Sequence, residues 1–218
     1  MAGEPESLST HEPLTQRIER HDYDRLIMLS DGVFAIAITL LALDMKIPAV
    51  WDGSLQSLVA GAGRSLVGYV FGFFIVGAFW LAHRRLFAKI VKADRVVSGL
   101  NILLLGVIGL VPFIARLIAE KGPTRSIPVY LLLTGTIFTT YALIYACAGM
   151  RHLLHPEIDR RRWGWELIGL SLGAAIILIA AIVSLMLGVT PSGNMLVSIA
   201  LAAALAGRAV TRLLAPKR

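Results

Sequence analysis

Asp31 lies inside the stretch RLIMLSDGVFAIAITLLALDM, residues 25–45, and no charge follows it until Asp44. The uncharged run from Gly32 to Leu43 rises only about 18 Å as a helix, well short of the roughly 30 Å hydrocarbon core of a bilayer. A spanning helix must therefore carry Asp31 into the membrane. A carboxylate there persists only against a partner or water, so it marks an ion path, a proton relay or a polar lock. Five other polar residues fall at similar depth if the chain crosses repeatedly: Arg25 and Ser30 beside it, Trp80 and His83 one span later, and Asn101 in the next. Asp31 can accept a hydrogen bond from any of them. No nucleophile or metal-ligand cluster accompanies the group, which favours a structural polar network over catalysis.

The composition of the chain requires membrane elements to position these residues. Of 218 residues, 56% are hydrophobic and 16% charged, and the mean hydropathy is +0.73. Those values exclude an ordinary soluble domain. Uncharged stretches at 66–82, 96–115, 126–150 and 167–207 follow the first one. The last is broken by the turn-forming run at 188–194, which makes six spans. The expected fold is all-α and polytopic, with residues 1–23 a loosely held tail, 24–215 the six-helix membrane domain and 216–218 a short C-terminal tail. The acidic N-terminal residues do not resemble a cleavable signal. Cys147 is the only cysteine, so no disulfide framework is available.

A net charge of +7 would suggest nucleic acid in a soluble protein, but the distribution of charge has a simpler explanation. With a cytoplasmic N-terminus, 16 of the Lys and Arg residues fall on that side and five on the other. This is the positive-inside bias, and it puts both termini in the cytoplasm with no nucleic-acid partner. Gly68 and Gly72, and again Gly169 and Gly173, have the spacing that lets membrane helices approach closely. Pro112 is expected to kink the third span near its outer end. Arg160 to Arg162, with Trp163 and Trp165 beside them, are expected to anchor on anionic headgroups. His152, His155 and Glu157 form a weak zinc motif that lacks a dependable further ligand.

On the first span, Ile36, Thr39, Leu40, Leu43 and Ile47 fall on one face, which Gly32 extends toward the cytoplasm. Such a stripe alone is usually packing or lipid-facing surface.

The run Arg25-xxx-Leu29-Ser30-Asp31-Gly32, continuing through Ile36, Thr39 and Leu43 to Asp44, closely resembles the RxxxFSD signature of the transmembrane protein 175 family of potassium channels. Trp80, His83, Asn101 and the pair Pro112-Phe113 extend the resemblance, while Leu29 stands where the family has Phe. The resemblance implies a single-repeat, prokaryotic type of channel: a homotetramer in the plasma membrane, with four copies of the first helix around a pore. It implies Ile36 as the hydrophobic constriction, with Thr39 and Leu43 as pore layers further out and Leu40 on the same stripe. Asp44 would then stand at the outer mouth, and K+ would be the permeant ion, with no cofactor. No TVGYG-like carbonyl filter is present, so selectivity must come from partial dehydration at a narrow apolar ring. The competing expectation is a proton-coupled secondary transporter using Asp31 and His83. Against it stand the unbroken first helix and the absence of a repeat pair.

Overall fold

The computed structural model describes residues 14–43, 45 and 51–188. Those residues form six helices: α1 Leu14–Leu43, α2 Leu55–Phe87, α3 Arg95–Ile108, α4 Val111–Lys121, α5 Pro123–Met150 and α6 Arg160–Leu187. Five stretches are long and apolar enough to cross a membrane, since α3 and α4 together make one span, Arg95–Lys121. The chain is an integral membrane protein. The sixth expected span, beyond the turn that begins at Gly188, lies outside the described residues. Gly188 itself adopts the left-handed conformation that ends α6.

Local chemistry sets most helix starts. Ser54 caps α2 by accepting from the Ser57 N–H, and Asp94 caps α3 by accepting from those of Val96 and Val97. Asp159 caps α6 through the Arg162 N–H. Each cap satisfies backbone donors that have no partner inside the helix. The third span is interrupted at Gly109 and Leu110 and resumes with Pro112 in the first turn of α4. Pro112 has no N–H to give to Ile108 and its ring crowds that carbonyl, so the expected kink is a full break.

Helix α1 begins at Leu14, well inside the stretch expected as a loose tail. Tertiary anchors explain the extension. The Tyr23 hydroxyl donates to the Phe87 carbonyl at 2.6 Å, and Lys92 pairs with Glu19 at 3.4 Å. At the same end the α2–α3 and α5–α6 loops clasp each other through an antiparallel bridge between Ile90 and Leu154. Its backbone bonds are Val91 N–H to Leu153 O at 2.8 Å and His155 N–H to Lys89 O at 2.9 Å.

The core lies between α1, α2, α3 and α5. Phe34, Ala37 and Leu41 of α1 meet Val76 and Phe79 of α2, Leu104 and Ile108 of α3, and Tyr141 and Tyr145 of α5. Without a hydrophobic driving force inside lipid, such helices associate through close packing and interhelical hydrogen bonds. Gly72 provides the close approach to α1, because a Cβ there would sit 3.1 Å from the Leu41 methyls. Gly68 has no such neighbour among the described residues. Gly169 and Gly173 are buried on α6, which packs along α5. The Tyr141 hydroxyl ties α5 to α2 by donating to the Phe79 carbonyl at 2.7 Å.

Candidate functional site: a two-faced first helix

Successive residues of an α-helix turn by about 100°, so residues 30, 34, 37 and 41 share one face of α1 while 32, 36, 39 and 43 share the opposite one. The first set is buried: Ser30 0%, Phe34 1%, Ala37 2% and Leu41 3% exposed. The second set faces away from the subunit, with Ile36 59% and Leu43 79% exposed and Gly32 and Thr39 also open. Leu40 lies at the edge of that face. The Thr39 hydroxyl donates to the Ile36 carbonyl at 2.9 Å, so its own hydrogen is satisfied within the helix. The sequence stripe is thus the face of α1 that its own subunit leaves uncovered. Asp44 and Ile47 lie outside the described residues.

The polar residues expected to form one network divide into two. The first is a buried chain across three helices. His83 Nε2 lies 2.9 Å from Asn101 Oδ1, and Asn101 Nδ2 donates to Ser30 Oγ at 2.9 Å. Ser30 in turn donates to the Leu26 carbonyl at 2.8 Å. Because Asn101 spends its amide hydrogens on Ser30, its oxygen is the acceptor, so the proton sits on His83 Nε2. All three side chains are at most 1% exposed, and a buried chain of this kind is stable only when every member is satisfied. His83 is held further by stacking on Phe87 at 4.3 Å and by the Phe34 ring at 5.4 Å.

The second group is a rim pair. Trp80 Nε1 donates to Asp31 Oδ1 at 2.7 Å, Asp31 is exposed, and the Arg84 guanidinium lies over the Trp80 ring at 5.7 Å. Asp31 and His83 share no hydrogen bond, and Arg25 is exposed without an ion pair among the described residues. Helical geometry explains the division, since Ser30 and Asp31 are adjacent and point about 100° apart. One faces the core and the other faces its edge.

Sequence reasoning missed a third cluster. Glu166 accepts from Lys89 at 2.5 Å, Tyr145 at 2.6 Å and Arg162 at 3.2 Å, joining the ends of α2, α5 and α6. The only local signal was the i,i+4 spacing of Arg162 and Glu166. Asp94, besides capping α3, pairs with Arg151. Burial disfavours its charge, but the Val97 and Val96 N–H groups and Arg151 outweigh that and hold its carboxyl below the usual carboxylate range. His152 and His155 lie on the α5–α6 loop, and no group of three or more metal-ligating side chains forms among the described residues.

These features define an all-helical membrane subunit with one apolar helix face left open and a polar lock behind it. The family described as "Endosomal/lysosomal potassium channel TMEM175" matches residues 25–112, which hold the whole of the two-faced segment and its partners on α2 and α3. A protein of Streptomyces collinus named as a potassium channel is 34% identical over 142 residues, covering 62% of this chain and 69% of that one. The protein of Gallus gallus named "Endosomal/lysosomal proton channel TMEM175" is 30% identical over 149 residues, 61% of this chain but only 30% of its own length. The crystal structure of a lysosomal potassium-selective channel TMEM175 homolog from Chamaesiphon minutus superposes with a TM-score of 0.64 at 24% identity, covering 87% of this chain and 98% of that one. The chain belongs to the TMEM175 family. Its relatives are named as ion channels and not as enzymes.

Proposed function

We propose that this chain is the subunit of a potassium-preferring cation channel in which four copies bring the open face of α1 to a common axis. The observation that carries the reading is the exposure of Ile36, Thr39 and Leu43 directly opposite the buried face of the same helix. A ring of Ile36 side chains narrows the path and closes it by dewetting, while Thr39, Leu40 and Leu43 line the path further out. An apolar ring strips part of the hydration shell from each ion, which costs less for potassium than for sodium. The names of the bacterial relatives support K+ as the permeant ion. Asp44 concentrates cations at the outer mouth. Ser30, His83 and Asn101, with the Asp31–Trp80 pair at their edge and Arg25 beyond it, hold α1 in register without touching the ion.

The charge count of the whole chain supports cytoplasmic termini, and the bacterial relatives support a prokaryotic plasma membrane; the channel domain over 24–215 is flanked by segments 1–23, whose second half continues α1, and 216–218. Single-channel recording of Ile36→Asn in planar bilayers tests the reading. A polar ring keeps the constriction wet, so open probability and leak rise and the K+/Na+ ratio falls. Unchanged conductance, gating and ratio would remove Ile36 from the pore.

A further inference from the structure

A cavity of about 180 Å³ opens at the basic end of the subunit, between the α5–α6 loop and the first turn of α6. His152, His155 and Arg160 line it together with Leu154 and Trp163. No residue of α1 takes part, so conduction through the proposed pore makes no use of it. The loop joins the ends of two spans, Met150 and Arg160, which puts the cavity at headgroup depth.

The charge balance in the cavity is one-sided. No carboxylate lines it. Of the two acids beside it in the chain, Glu157 gives its backbone N–H to His155 Nδ1 at 3.4 Å, and Asp159 accepts from the Arg162 backbone N–H at 2.6 Å. Of the other arginines close by, Arg162 pairs with Glu166 and Arg151 with Asp94, while Arg161 does not line the cavity. Arg160 has no ion pair among the described residues, so a full positive charge and two imidazoles face one small space.

The walls are also held in place. His152 is the one non-glycine residue with positive φ among the described residues, at 56°. A side chain is strained in that conformation and persists there only where the surroundings impose it. Here the Leu153 N–H bonds to the Ala148 carbonyl at 2.9 Å, and the Leu153 carbonyl is taken by the Val91 N–H of the opposite loop. The Trp163 indole is fixed by its bond to the Tyr145 carbonyl at 3.1 Å and lies so close over Gly149 that a Cβ there would clash with its nitrogen. Two imidazoles without a third ligand do not make a metal site, but a guanidinium and two imidazoles lining one space suit a tetrahedral oxyanion.

We propose that this cavity binds a phosphate group, carried by an anionic phospholipid headgroup or by soluble phosphate, with Arg160 as the main donor and His152 and His155 as flanking donors. Bound there, the anion braces the loop that clasps the α2–α3 connection.

The test is thermal unfolding of the purified protein in uncharged detergent. It is titrated separately with potassium phosphate at constant ionic strength, with dioctanoyl phosphatidylglycerol and with dioctanoyl phosphatidylcholine. A saturable rise in midpoint with phosphate assigns a soluble ligand, and one with phosphatidylglycerol assigns a headgroup. Either supports the site, provided that Arg160→Gln weakens the response about tenfold, the loss expected for one charge-assisted contact, and that Arg161→Gln, which removes the same charge outside the cavity, does not. His152→Gly suits the local φ, so the variant folds, and it weakens binding by about threefold, as befits a flanking donor. The proposal is overturned by no saturable response to either anion, by an equal response to phosphatidylcholine, by equal losses in the two arginine variants, or by His152→Gly binding like the parent.

Discussion

Phe34 and Ile36 are two residues apart on the same helix, both apolar and at nearly the same depth, yet one is 1% exposed and the other 59%. The Phe34 face is closed by the subunit's own chain, by His83 and by the α2 and α3 core, while the Ile36 face is left for something outside the subunit. Hydrophobicity does not separate them. What separates them is whether the neighbouring helices approach, and that follows from small residues such as Gly72 and from the polar groups that bond across the gap.

The comparison is broken most severely on the closed face. Phe34→Ala removes a filled ring from the core and should lower unfolding stability by about 3 kcal/mol, read from thermal or denaturant melts in micelles. A loss no larger than that of an exposed site would mean that the face is not packed as described. Asn101→Ala leaves His83 Nε2 buried without a partner and should cost about 2 kcal/mol, with Asn101→Asp recovering part of it. Equal stability for Asn101→Ala and the parent protein would show that the three-helix chain does not bear on folding.

A smaller effect is expected at the basic end. Asp94→Ala removes the α3 cap and should cost about 1 kcal/mol. Because the folded carboxyl titrates below its usual range, its contribution is complete above that range and is lost as the pH falls through the folded value. The difference between parent and Asp94→Ala should therefore shrink in acid. A difference that grows as the pH falls would contradict the sign. The smallest stability change belongs to the open face, where Ile36→Ala should shift the melt of the dissociated subunit by no more than about 0.5 kcal/mol. A loss comparable to that of Phe34→Ala would erase the distinction between the two faces.

Much of the candidate site was legible in the chain. The stripe Ile36, Thr39, Leu43 follows from helical period alone, and a lone acid in a span announces a polar arrangement. The partners of Asp31 were less legible. Arg25, Ser30, Trp80, His83 and Asn101 all lay within plausible reach by depth, but depth carries no angle about the helix axis. Trp80 and Asp31 turned out to meet at the rim, while His83, Asn101 and Ser30 closed a separate chain inside. Glu166 was invisible because its partners Lys89 and Tyr145 lie 77 and 21 residues away. The early start of α1 was hidden for a similar reason, since its anchors Phe87 and Lys92 lie at the end of α2 and in the α2–α3 loop.

By itself the sequence determined the solvent and the periods. Long uncharged runs must satisfy their backbone internally and so become helices in lipid, and a 3.6-residue repeat fixes which residues share a face. The tertiary structure alone decided which face is closed and which polar atoms pair. Both depend on rotations and distances between helices far apart in the chain, and packing settles these only when all the helices are in place together.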